Sequence, residues 1–194
     1  MSTLPRAFYT GDDVVAIARA LLGKVLVTRF GRTATAGVIT EAEAYAGIGD
    51  RASHAFGGRR TPRNEMMYAE GGTAYVYLCY GIHHLFNVVT NADDVPHAVL
   101  IRAIHPVEGQ SMMLRRRSGA QLTTGGPGTL TQALSIRTAH NGTDLLDGTI
   151  RIEDRGLIVP DRSIITGPRI GVGYAGADAL LPYRFRCDPL IFAR

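Results

Sequence analysis

Two carboxylates stand two residues apart in the run Gly37-Val-Ile-Thr-Glu-Ala-Glu-Ala-Tyr45. The segment reads as a strand, in which alternate side chains share a face. Ile39, Glu41, Glu43 and Tyr45 then fall on one side, and Val38, Thr40, Ala42 and Ala44 on the other. The two acidic Cα atoms lie ~6.5–7 Å apart. Acidic residues are disfavoured in strands, so this pair has two readings. Either it marks a solvated edge strand, or it serves acid–base chemistry in a hydrolysis. In glycoside hydrolysis a carboxylate activates water or attacks the anomeric carbon. The N-glycosidic bond of a nucleotide is a bond of the same kind.

Other chemistries have less to stand on. His83 and His84 are adjacent, so on a strand they point to opposite faces and do not share an ion. No His-Glu-x-x-His or paired-cysteine motif is present, and no metal is expected. No Gly-x-Ser-x-Gly elbow supports a serine hydrolase. Gly171-x-Gly173-x-x-Gly176 has the letters of a dinucleotide loop, but too near the C-terminus for the βαβ unit behind it. Cys79 and Cys187 read as free thiols of a reducing cytoplasm. The first residues lack an apolar leader, and no run approaches the ~20 apolar residues of a membrane span. A cytoplasmic protein is the expectation.

The charge points to a partner. The formal net charge is +4, and of the basic residues only Lys24 is lysine. Arginine grips phosphate with a planar fork. A GC-rich genome explains the arginine excess as well, but less readily the clusters Arg59-Arg60-Thr-Pro-Arg63 and Arg115-Arg116-Arg117. An enzyme acting on a base within a duplex must flip it out. That takes a wedge, aromatics around the base and cations on the backbone. Tyr75, Tyr77 and Tyr80 and the arginine clusters supply such parts.

The elements that position these residues follow from periodicity and punctuation. Thr10-Gly-Asp-Asp13 starts a helix that carries Val14, Ile17, Ala18, Leu21 and Leu22 and stops at Gly23. Residues 24–30 and 33–45 are strands. Residues 46–72 form a long loop, and such loops are usually functional or disordered. Residues 73–80 and 83–90 make a hairpin around Gly81 with exposed tyrosines. His97–Ile104 is a strand with Arg102 inside an apolar run. A buried arginine needs acceptors, and Glu43 or Glu41 is the expected partner. Pro106–Arg117 reads as a basic helix with Pro106 near its start. Thr123-Thr-Gly-Gly-Pro-Gly-Thr129 is a Gly-rich turn before a short helix, Leu130–Ser135. Thr149–Glu153, Ile164–Ile165, Arg169–Tyr174 and Tyr183–Cys187 read as short strands. The expectation is a single α+β domain over residues 1–194. It has a largely antiparallel, curved sheet, surrounding helices and a protruding β-hairpin.

Several runs in this order resemble the alkyladenine (3-methyladenine) DNA glycosylase family. They are Glu41-Ala-Glu-Ala-Tyr45, Ala52-Ser-His54, Arg60-Thr-Pro-Arg-Asn64, Tyr75-Val-Tyr-Leu-Cys-Tyr-Gly81, Asn87 and Leu100-Ile-Arg102. Weaker matches follow at Gly126–Leu134 and Arg169–Gly176, so the resemblance covers nearly the whole chain. It implies that Glu43 is the general base that activates water and that Arg102 helps hold it. It places Tyr45, His54 and Tyr77 around the flipped base. Asn87 matches the asparagine that disfavours the exocyclic amine of guanine. Tyr80 matches the tyrosine inserted into the minor groove. Glu41 is then a supporting or solvated carboxylate. Arg59, Arg60, Arg63 and Arg115 are the expected backbone contacts. Two departures stand out: Thr129 where relatives have lysine, and Ile82-His83-His84 after the wedge.

The implied enzyme works as a monomer, without cofactor, on double-stranded DNA containing damaged purines. With Lys24 alone and remote in sequence, no amine is at hand for a Schiff base, and a monofunctional enzyme follows. A non-catalytic lesion-binding protein and a hydrolase of free nucleosides remain open alternatives. The first would have no use for Glu43, and the second none for the basic surface.

Overall fold

Antiparallel pairing organises the chain in its computed structural model, which describes residues 2–119 and 121–192. Nine strands occur among these: β1 (Ser2–Thr3), β2 (Val25–Phe30), β3 (Thr33–Tyr45), β4 (Ala74–Cys79), β5 (His83–Thr90), β6 (His97–Glu108), β7 (Ile150–Asp154), β8 (Ile165–Gly167) and β9 (Arg184–Arg186). Four helices accompany them: α1 (Arg6–Tyr9), α2 (Val14–Ala20), α3 (Gln110–Arg117) and α4 (Pro127–Leu134). The sheet runs β1-β7-β2-β3-β6-β5-β4, with β9 paired to β3 and β8 to β9. Every pair is antiparallel. The fold is α+β, one curled sheet with a few helices against it.

The main core lies between one face of this sheet and the helices. Val14, Ile17 and Ala18 of α2, Met113 of α3 and Leu130, Ala133 and Leu134 of α4 meet Ala74, Val76, Phe86, Val88, Val99 and Ile101 of the strands. The intervening strand residues, by the period of two, project to the opposite face. There Tyr75, Val89 and Ala98 pack against Ala55, Met67 and Tyr68 of the segment 46–72. That segment contains three short 3-10 turns. The Asn64 side chain ties it together by donating to the carbonyls of His54 and Arg59 at 3.1 and 2.9 Å.

Several expectations shift by a turn or an element. Asp13, not Thr10, caps α2: its carboxylate accepts from the amides of Val15 and Ala16. Thr10 instead closes α1, which was not expected. Pro106 does not begin a helix. β6 continues through it to Glu108, and α3 starts after Gly109, whose φ of 71° turns the chain. β5 pairs with β6 only as far as Leu100, so the missing N–H of Pro106 costs no ladder bond on that edge. Arg169–Tyr174 is not a strand. It is a loop that enters a 3-10 segment, Gly173–Leu180.

Candidate active site

Glu43 sits in the middle of the sheet, not on a solvated edge. β3 has β2, β6 and β9 as partners, and the Glu43 side chain is completely buried. A β-bulge aims it. The β3–β6 register shifts between Ile39 and Ala42. As a result Ile39 joins Ala42 and Ala44 in the main core, whereas strict alternation placed it with Glu43. Without the bulge Glu43 would follow Ile39 into that apolar core. With it, Glu43 and Tyr45 face the other way. Bulges often re-aim side chains beside functional sites.

The register then builds a row. Glu43 lies opposite Leu100, Leu100 opposite Asn87, and Asn87 opposite Tyr75. Four strands at ~4.8 Å spacing put about 14 Å between the ends of this row. Leu100, Asn87 and Tyr75 of this row line a cavity of about 690 Å³, and Glu43 is buried behind its lining residues Tyr45, Arg102 and Ile170. Tyr45, His54, Tyr75, Tyr77, Asn87 and Arg102 line the cavity, and Tyr80, Gly126–Thr129 and Ile170–Val172 form its rim.

Three donors converge on the Glu43 carboxylate. Tyr45 Oη donates to Oε2 at 3.0 Å and Arg102 Nη1 to the same oxygen at 3.3 Å. The amide of Ile170 donates to Oε1 at 2.8 Å. Burial disfavours the charge and outweighs these donors, so the carboxyl pKa is raised. Arg102 was expected to meet Glu43 or Glu41. It meets both, with its Nε donating to Glu41 Oε1 at 3.1 Å. Glu41 is in turn held by Arg184 Nη1 at 3.1 Å. It is therefore a half-buried carboxylate held by two arginines.

The aromatic wall is equally connected. His54 Nδ1 and Tyr75 Oη are 2.9 Å apart, and the His54 ring meets Tyr77 edge-on at 4.8 Å between centroids. Burial, then the nearby Arg63 and Arg59, lower the His54 pKa and favour its neutral form. Asn87 is buried and donates from Nδ2 to the Tyr75 carbonyl at 3.0 Å. Behind Tyr45, the guanidinium of Arg169 stacks at 4.9 Å from the ring centroid. Arg169 pairs with Asp50 in a buried ion pair. Burial opposes the Asp50 charge, but Arg169 and the amides of Ala46 and Ala52 prevail and hold its pKa low.

Tyr80 stands on the three-residue tip of the β4–β5 hairpin, 92% exposed. Its φ of 50° is left-handed. Tyr75, expected near the exposed tip, is instead buried beneath the cavity. The arginines divide. Arg63 is exposed at the cavity, 5.5 Å from the Tyr77 centroid. Arg59 is exposed nearby, and among the described residues its side chain has no ion pair. Arg60 is held by Glu65 and Asp94. Arg115, on α3, does not line the cavity. Leu100, Arg169 and Ile170 fall in runs that carried the resemblance but were given no role, and Asp50 and Arg184 were not singled out. The Ile170 contact is made by backbone, which no side-chain pattern reports.

The site thus joins a buried, donor-held carboxylate to a tyrosine-lined cavity and an exposed tyrosine at the hairpin tip. The family description Methylpurine-DNA glycosylase (MPG) matches residues 7–189. The chain is 45% identical over 186 residues to a Chlamydia felis protein named "Putative 3-methyladenine DNA glycosylase", covering 94% of each chain. It is 49% identical over 183 residues to a protein of that name from Anaeromyxobacter dehalogenans, covering 94% of this chain and 82% of that one. The chain belongs to the methylpurine-DNA glycosylase family, and so to the DNA glycosylases, hydrolases of N-glycosyl bonds.

Proposed function

We propose that this protein repairs DNA by excising alkylated or deaminated purines from the duplex, with Glu43 as the general base. The observation that carries this reading is the buried Glu43 carboxylate, held by Tyr45, Arg102 and the Ile170 amide against a tyrosine-lined cavity. Among the described residues Oε1 accepts from Ile170 alone, which leaves a lone pair for water. The carboxylate has no exposure of its own. The reacting water is delivered where Tyr45, Arg102 and Ile170 border the cavity.

In the reaction, the water oxygen attacks C1′ of the sugar and the C1′–N bond breaks. The electron pair of that bond leaves with the base, and a proton of the water passes to Glu43. The products are a free purine and an abasic site. A purine methylated at N3 or N7 is already cationic and departs neutral, and a cation is favoured against tyrosine faces. A neutral base such as hypoxanthine or ethenoadenine departs with the electron pair as an anion and takes up a proton from solvent. Tyr45, Tyr77 and neutral His54 surround the flipped base. Asn87, fixed by Tyr75, opposes the exocyclic amine of guanine. Tyr80 fills the space the nucleotide leaves, and Arg59 and Arg63 meet the backbone. No cofactor or metal takes part, and the protein acts as a monomer.

The test is incubation of the protein with duplex oligonucleotides carrying one methyladenine, methylguanine, hypoxanthine or ethenoadenine. Release of the free base, with affinity falling steeply as salt rises, supports the reading. Tight binding without release would favour a non-catalytic sensor.

A further inference from the structure

Glu43 receives donors from two directions, and one residue reaches the supports of both. Arg184 Nη1 donates to Glu41 Oε1 at 3.1 Å, the oxygen that also accepts from Arg102 Nε. Arg184 Nε donates to the Pro168 carbonyl at 2.9 Å. Pro168 lies two residues before Ile170, whose amide donates to Glu43 Oε1. The β3–β9 register sets this bridge, because Arg184 is paired directly with Glu43.

We propose that Arg184 and Glu41 are positioning residues for the proposed base, Arg184 acting through Arg102 on one oxygen of Glu43 and through the Pro168–Ile170 backbone on the other. The inference rests on the assignment of Glu43 made above. It accounts for the second acidic residue of the strand. Glu41 orients the Arg102 guanidinium so that Nη1 faces Glu43, and Arg184 limits the charge of Glu41. Without Arg184, Glu41 carries less neutralised charge next to Glu43 and draws Arg102 towards itself. Without Glu41, a negative neighbour is removed and Arg102 is left to Glu43 alone. The other charged or titratable groups around Glu43 are Tyr45 on its own strand and Arg169 with its partner Asp50. Neither substitution below alters them.

The experiment is the pH profile of single-turnover base release for wild type, Glu43→Gln, Glu41→Gln, Arg184→Gln and Arg184→Lys, each normalised to its active fraction by lesion-DNA titration. Arg184→Gln is expected to slow release about tenfold at neutral pH. It also moves the acidic limb up by about 0.5–1 pH unit, less than a direct charge neighbour would. Glu41→Gln moves the limb in the opposite direction by a similar amount. Arg184→Lys keeps the charge but loses the two-pronged bridge, so the limb stays near wild type while the rate falls. Normalised profiles of Arg184→Gln and Glu41→Gln that superimpose on wild type would overturn the inference even with Glu43→Gln inactive. Release by Glu43→Gln at the wild-type rate would instead remove the assignment on which it rests.

Discussion

Replacing Glu43 by glutamine should abolish chemistry without costing stability at neutral pH. The folded protein raises the Glu43 pKa above its ordinary 4.5, chiefly because burial disfavours the charged form. A raised carboxyl contributes stability when protonated, below its unfolded pKa. That contribution is lost as pH rises through the folded pKa. Each pH unit by which the carboxyl is raised costs the native state about 1.4 kcal/mol once it ionises. For a chain of 194 residues, this corresponds to about 3–6 °C in Tm. Glutamine escapes the cost. It keeps an oxygen for the Ile170 amide, and Arg102 retains Glu41. The assay is thermal unfolding of both proteins from pH 4 to pH 8. The variant is expected to gain on wild type as pH rises and to equal or exceed it at pH 8. A variant that is less stable at pH 8 by more than about 2 kcal/mol, by an amount independent of pH, would refute the reasoning. Glu43 would then be a net stabiliser rather than a group held at a cost for function.

Other substitutions probe the frame. Tyr80→Gly removes a left-handed tyrosine, so unfolding should show a gain of about 1 kcal/mol, while base release falls at least tenfold for want of a wedge. Asp50→Ala leaves Arg169 buried and unpaired and should cost about 3–5 kcal/mol by denaturant titration. A variant within about 1 kcal/mol of wild type would deny the pair that role. Borohydride should trap no covalent protein–DNA adduct on lesion duplex, because the sole lysine, Lys24, is bound to Asp154 on the far strand pair; a trapped band contradicts a monofunctional mechanism.

Much of this arrangement was legible because it rests on alternation and on burial of charge. β3 begins and ends where its composition said, and Arg102 was readable as an arginine in need of carboxylates. The hairpin followed from two β-rich runs around Gly81. What was not legible depends on register. The bulge near Thr40 decides which face receives Glu43, yet Gly37–Tyr45 has no residue that announces it. β6 ran on through Pro106 because its pairing with β5 stops at Leu100, which is a fact about a neighbour and not about Pro106. The Ile170-Gly-Val-Gly-Tyr174 run looked extended, but Gly171 takes φ 77°, and the resulting loop delivers a backbone amide to Glu43. Arg60, in a cluster read as facing DNA, is spent on Glu65 and Asp94, partners 5 and 34 residues away.

The central claim is that one carboxylate of the pair, Glu43, activates the water. Single-turnover base release from a duplex with a defined lesion tests it most directly, with wild type beside Glu43→Gln and Glu41→Gln. The account predicts that Glu43→Gln still binds the lesion but loses about 10²–10⁴-fold in release, while Glu41→Gln remains active. Release by Glu43→Gln within tenfold of wild type, or loss confined to Glu41→Gln, would contradict it.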